Sequence, residues 1–376
     1  MASTVLISDL HLSARSGSDV LRRPVIRRRL LEAVAAAGAD RVVLLGDAVE
    51  LRDGPLGESL EETRPFFSEL GEALGGGTVI LVPGNHDHRL LGSWLERARG
   101  ERRPAAIDEL VAEPHPAART LASWLGPAGL EVRYPGVWVR DDVYATHGHY
   151  LDSHATLPTI ERLSVAAVDR LAGTPTGHRT NPHDYEEVHA PVYDLIFSLA
   201  QGGRVFGSDE HGRSRALRIW QTVGGASGQA RTLRGKLLGS ALIPATLRGL
   251  EQAGLGRFNR DLSIAEIGRS GVAAMHVVVE RLGIEADHVV FGHIHRRGSL
   301  PGEDDAIGSP AWRRNGVTLH NTGNWLYTEA LLGRAVPQSP FWPGSMIVVA
   351  ESGPPELVEV LADVDRDVLA GRAGTP

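Results

Sequence analysis

Five short stretches of this chain gather side chains that bind divalent cations. "ISDLH" sets Asp9 and His11 two residues apart, and "LLGDAVE" carries Asp47. "VPGNHDH" places Asn85, His86 and Asp87 in succession. "ATHGH" supplies His147 and His149, and "VVFGHIH" supplies His293 and His295. Carboxylate, imidazole and amide carbonyl suit a hard-to-borderline ion, Mn²⁺ foremost, with Fe²⁺ or Zn²⁺ as alternatives. The chain has no cysteine, which excludes thiolate sites, disulfides and cysteine nucleophiles. Alone, a DxH or HxH pair is more often a turn or a solvated loop than a metal site, and Gly-Asp after a strand is weaker still, being ordinary turn punctuation. What argues for a shared site is that each stretch closes an apolar run. Asp9, His11, Asp47, Asn85, His147, His293 and His295 outnumber the ligands one ion needs, which predicts two ions with Asp47 between them. Such a pair, about 3.5–4 Å apart, stabilises the attacking and leaving oxygens of a phosphoryl displacement.

The elements that must position these residues are also legible. "TVLIS" (4–8), "RVVLL" (41–45) and "TVILV" (78–82) are continuous apolar runs, as expected of strands buried on both faces. Between them, residues 24–38 and 59–75 carry helical periodicity and end at glycine. This alternation predicts parallel strands joined by crossovers, with ligand groups converging at the carboxyl ends of the strands. Residues 136–149 read as a hairpin turning at Asp141-Asp142. Strand character returns at 287–292, 316–323, 345–350 and 356–361.

With 376 residues, 42% of them hydrophobic, the chain can build one large domain with an insertion. We expect an α/β core from 1–155 and 285–363, a helical cap over 156–284, and a frayed tail at 364–376. From Arg204 to Arg260 the cap has ten basic residues against Asp209, Glu210 and Glu251, a local +7 in a chain of net charge −7. That stretch, with the apolar segment at 237–250, could cap an anionic or lipid-linked substrate or rest on an acidic membrane surface. A solvated amphipathic helix explains it equally well. The overall charge argues against nucleic acid as a partner. The opening "MASTVLISDL" has neither a basic n-region nor an apolar h-region, and no run of about 18 apolar residues occurs, so a cytoplasmic location without an integral membrane segment is expected.

Taken in order, Asp9/His11, Gly46-Asp47, Gly84-Asn85-His86-Asp87, His147 and Gly292-His293-Ile294-His295 resemble the calcineurin-like metallophosphoesterase superfamily. Its pattern runs DxH, GD, GNH[DE], H and GHxH. The resemblance covers roughly 1–155 and 285–350. It implies a β-sandwich of mixed sheets flanked by helices. It also implies one ion held by Asp9, His11, Asp47 and His295, and a second by Asp47, Asn85, His147 and His293. A hydroxide shared by the ions would attack phosphorus in line, with His86 near the leaving oxygen and Asp87 orienting His86. "NTGNW" (321–325) is similar to the family's NxGSW, with Asn324 in the serine place.

The expected activity is hydrolysis of a phosphodiester or pyrophosphate. A nuclease and a non-catalytic scaffold on the same fold are the alternatives; the scaffold should have lost ligands, and this chain keeps them all. "LISDLHLS", "LLGDAVELRDG" and "HGHYLDS" look like the branch containing UDP-2,3-diacylglucosamine pyrophosphatases, from which His86 departs, since that branch usually has arginine there. His149 is expected to support the ligands or touch the substrate. Arg22, near the first strand end, and Arg179, at the start of the cap, are candidate phosphate contacts, although solvated surface positions would explain both. His88 reads as a rim residue.

Overall fold

The computed structural model describes residues 3–100, 106–156, 160–172, 179–202, 264–303, 310–332 and 338–372. The basic stretch from Arg204 to Arg260, the apolar segment at 237–250 and the last four residues of the expected tail lie outside them. Eleven strands are described. They are β1 (Ser3–Ile7), β2 (Ala39–Leu44), β3 (Thr78–Leu81), β4 (Asp108–Leu110), β5 (Gly129–Arg140), β6 (Val143–Thr146), β7 (His288–Phe291), β8 (Arg313–Arg314), β9 (Val317–Asn321), β10 (Ser345–Val349) and β11 (Glu356–Glu359). They form one curled sheet in the order β11-β10-β1-β2-β3-β5-β6-β7-β9-β8, with β4 added to β5.

The apolar runs at 4–8, 41–45 and 78–82 make the expected parallel set, Val5 facing Val42 and Val42 facing Val79. Residues 136–149 contain the expected hairpin, Gly136 pairing with Thr146 and Arg140 with Val143. Its first strand begins earlier than the sequence pattern indicates. At twelve residues, β5 is long enough to serve both halves of the sheet. Its start pairs in parallel with β3, and its end pairs antiparallel with β6. The sheet thereby folds over on itself as a sandwich. Leu6, Val43 and Ile80 from one half pack with Val137, Ala145 and Val290 from the other, with Ile347 of β10 joining them. The alternate residues Val5, Ile7, Val42 and Val79 face outward into a larger core shared with the helices. A strand buried on both faces loses the polar alternation that would mark it, which is why these runs are continuously apolar.

Helices α1 (Pro24–Ala36) and α2 (Leu56–Leu74) follow β1 and β2, and α3 (Trp94–Gly100) and α4 (Pro116–Trp124) follow β3. The expected cap supplies α5 (Ile160–Ala172), α6 (Pro182–Gln201) and α7 (Ile264–Leu282). The capping box between Asn181 and Asp184 fixes where α6 starts. From there α6 sends a fully buried carboxylate, Glu186, into the core. Tyr134 and Tyr150 donate hydroxyl hydrogen bonds to Glu186 Oε1, and His88 Nε2 lies 2.9 Å from Oε2. His88 is therefore not a rim residue. It ties the loop after β3 to the cap.

Two cap-contacting histidines are held neutral. Burial, then the nearby Arg179, pushes the His154 pKa down to about 4. Burial and His149 push that of His189 down to about 3. His189 spends both ring nitrogens on hydroxyls, Ser153 Oγ at 2.9 Å and Tyr193 Oη at 2.7 Å. Unfolded, both rings take up a proton near pH 6.5, so the unfolded state binds more protons between there and the folded values. These two rings should accordingly contribute a loss of stability as pH drops from about 6.5 towards 4. Urea midpoints at pH 7 and pH 5 check this, and His189→Gln should shrink the difference. A difference between the two pH values that is unchanged in His189→Gln contradicts the assignment.

Candidate metal centre

β1, β2 and β3 run parallel, as do β6, β7 and β9, and the loops after them converge at one end of the sandwich. Backbone hydrogen bonds zip these loops together. Asp9 N–H donates to the Gly46 carbonyl at 3.0 Å, His11 N–H to that of Asp47 at 2.8 Å, and Gly292 N–H to that of His147 at 3.0 Å. The turns are sharp enough that Asp9, His11, Asp47, His293 and His295 all have φ between 43° and 67°. Non-glycine residues rarely sit there, at a cost of about 1–3 kcal/mol each, and such strain gathers at functional sites. Two glycines of the motifs are dictated by space. A Cβ on Gly84 would collide with the Asp47 carboxylate and the His147 ring, and one on Gly292 with Ser8 and the Asp9 carboxylate.

The seven expected ligands meet in this cleft. Asp9, His11 and His295 form one group whose ligand atoms lie within 4.8 Å of one another, and Asp47, His147 and His293 form another. His11 Nε2 is 3.3 Å from His295 Nε2, which is itself 3.1 Å from Asp9 Oδ1. On the other side, Asn85 Oδ1 lies 3.1 Å from both His147 Nε2 and His293 Nδ1. Asp47 Oδ2 stands between the groups, 3.6 Å from His11 Nε2 and 3.4 Å from His147 Nε2. A third combination, His11, Asp47 and His86, is also close enough to share an ion.

Burial opposes charge on Asp9, His11, Asp47, His147 and His293, and at these five the neighbouring opposite charges outweigh it. Asp47 holds the His147 pKa up at about 10, and Glu50 and Asp47 hold that of His11 up at about 9. In return, His295 lowers the pKa of Asp9, and His147 lowers that of Asp47 further. Asp9 Oδ1 is buried without a hydrogen bond. Buried carboxylates, ring nitrogens aimed at shared points and one orphaned acceptor fit divalent cations.

Sequence reasoning missed the carboxylates behind the imidazoles. Glu50 Oε2 sits 2.8 Å from His11 Nδ1 and 2.6 Å from His86 Nδ1, so a single oxygen orients both an expected ligand and the neighbouring His86 ring. Asp152 Oδ2, 3.0 Å from His293 Nε2, turns the Nδ1 of that ring towards Asn85. Glu50 was visible as the acidic residue three places after Asp47, and Asp152 as the acid in "HGHYLDS". The role expected for Asp87 passes to Glu50. Asp87 instead accepts backbone N–H groups from Gly84, Asp47, Ala48 and Val49, clamping the loop after β3 to the loop after β2. Asn324 donates to the His295 carbonyl at 2.7 Å and so anchors that ligand's backbone.

The three expected substrate contacts are placed elsewhere. His149 is buried behind His147, with Nε2 3.0 Å from Tyr134 Oη. Arg22 donates to Asp19 and to the Ala14 carbonyl. Arg179 is buried on Asp169, its guanidinium over the Tyr185 ring.

A family model described as calcineurin-like phosphoesterase matches residues 2–219. No curated protein matches the chain. No helix among the described residues is long and apolar enough to cross a membrane.

Carboxylates that orient ligating imidazoles typically contribute 10–100-fold to metal affinity. Glu50→Gln and Asp152→Asn should each weaken Mn²⁺ binding by about that factor, measured by competition with a chelating dye. Wild-type affinity in both variants would show that the ligands orient without them.

Proposed function

The chain belongs to the calcineurin-like phosphoesterases, metal-dependent phosphoester hydrolases, and from that premise we propose that it uses two divalent ions to hydrolyse a phosphodiester or a pyrophosphate. The observation that carries the two-ion reading is the position of Asp47, a buried carboxylate with an imidazole nitrogen from each ligand group within 3.6 Å of one oxygen. Asp9, His11, Asp47 and His295 would hold one ion, and Asp47, Asn85, His147 and His293 the other. Bound there, the ions supply an acidified water and positive charge opposite the phosphoryl oxygens. Mn²⁺ is the proposed native pair.

The protein's own part is orientation. Ser8 Oγ and the His293 backbone N–H occupy Asp9 Oδ2, and the His86 backbone N–H occupies Asp47 Oδ1 at 2.8 Å. Each carboxylate thus keeps its other oxygen turned towards the cleft. Glu50 captures His86 Nδ1, which leaves Nε2 directed at the site, 4.0 Å from Asp47 Oδ2. His86 is partly exposed and adjoins a cleft, so Nε2 could hydrogen-bond a phosphoryl or leaving oxygen.

With Mn²⁺ and bis-p-nitrophenyl phosphate, Asp47→Asn should lose ~100-fold or more of turnover, since it weakens both ion positions at once. Equal rates in the two proteins would overturn the reading. His86→Ala should cut kcat by roughly 10²–10⁴ while metal content, measured by elemental analysis, stays at the wild-type value. Loss of metal from that variant would make His86 a ligand.

A further inference from the structure

Helix α6 carries Glu186, His189 and Tyr193 at i, i+3 and i+7, a single stripe of the helix, and all three are buried. The stripe faces two segments that carry candidate ligands. His88 Nε2, 2.9 Å from Glu186 Oε2, belongs to the residue three places after Asn85. Tyr150, whose hydroxyl donates to Glu186 Oε1 at 2.6 Å, stands three places after His147. His149, two places after His147, lies beside the same carboxylate. His189 Nε2 is 2.9 Å from Ser153 Oγ, and the residue before Ser153 is Asp152, which holds His293. The remaining partner of Glu186, Tyr134, belongs to β5. The stripe thus reaches Asn85, His147 and His293, each at one remove. These are the residues that join Asp47 in one of the two ligand groups. Among the described residues, the partners of Glu186 include none from the loops after β1 and β7, where Asp9, His11 and His295 stand. An apolar side chain would anchor a cap without burying charge. A buried carboxylate is stable only where donors converge on it, so it fixes the places of those donors relative to one another.

We propose that Glu186 is a positioning residue for one half of the centre. From the cap it sets the spacing between the Asn85 loop and the His147 loop, and so the affinity of the ion position built from Asn85, His147 and His293. The position built from Asp9, His11 and His295 does not depend on it. The inference rests on the two-ion reading above, and the experiment separates the two.

His295→Ala leaves the group of Asn85, His147 and His293 intact, and His147→Ala leaves that of Asp9, His11 and His295. Mn²⁺ affinity is measured in each background by competition with a chelating dye, and the number of ions in wild type by elemental analysis. Added to His295→Ala, Glu186→Ala should weaken Mn²⁺ by about tenfold or more, as residues that orient metal ligands do. Added to His147→Ala, it should leave the affinity unchanged. Glu186→Gln keeps one acceptor oxygen for the tyrosines and should recover part of the loss. Asp169→Asn breaks a pair with Arg179 inside the cap, so it should lower the melting temperature and leave both affinities alone. Where circular dichroism shows Glu186→Ala unfolded, Tyr150→Phe, which cuts only the tie to the His147 loop, should give the same one-sided loss. Equal losses in the two backgrounds, no loss in either, or the one-sided loss appearing in Asp169→Asn as well, overturn the positioning role. Wild type holding a single ion refutes the two-ion reading instead. If that ion is lost in His147→Ala and weakened by Glu186→Ala, the role of Glu186 stands; if it persists in His147→Ala, both fall.

Discussion

The structure is organised around anionic oxygens buried at the end of a sandwich. Asp9, Asp47, Glu50 and Asp87 all lie below the surface there, and uncompensated charge in such a place is expensive. Each has a different compensation. Asp87 is satisfied by four backbone N–H groups, Glu50 by two imidazoles and a backbone N–H, and Asp9 and Asp47 by one neutralised oxygen and one left facing the cleft. Only the last two retain an open oxygen, and they are the two that face shared points with imidazole nitrogens.

The backbone is bent to allow this. Five of the candidate ligands sit at positive φ, which a chain tolerates only where the surrounding structure enforces it. The enforcement comes from the sheet below and from the ladder of hydrogen bonds between adjacent loops. Asp87 adds to it by fastening the loop that carries Asn85 and His86 to the loop that carries Asp47, so the clamp and the ligands lie within one short motif. The dense polar cluster that ends β3 thus separates into a candidate ligand, a group facing the cleft, a clamp and, in His88, a link to the cap.

The cap is tied to the centre rather than laid over it. Glu186 on α6 meets Tyr134 of β5, Tyr150 just after His147, and His88 just after Asp87. Every one of these partners neighbours a metal-site loop. Through the same helix, Tyr193 and Phe197 reach the cleft beside His86, so the element that buries Glu186 also shapes the wall that a substrate would meet.

The candidate ligands, their order and their placement after apolar strands were legible in the sequence, because each arises from a local transition from strand to sharp turn. The same locality made the parallel first half and the hairpin readable. Pairing between distant side chains was not. Glu50 and His86 are 36 residues apart, and Asp152 and His293 are 141 apart. A carboxylate one position from a histidine in sequence, such as Asp87, looks like its partner until the turn points the two side chains in different directions. Arg22 and Arg179 looked free although their partners are near in sequence, Asp19 three residues away and Asp169 ten, because only the folded side-chain directions pair them. Sequence by itself determined which groups could gather to bind metal, because residue type and strand-end position suffice for that. Tertiary structure alone decided which acid orients which imidazole and what walls the cleft, because those depend on side-chain direction across elements that the chain joins only by folding.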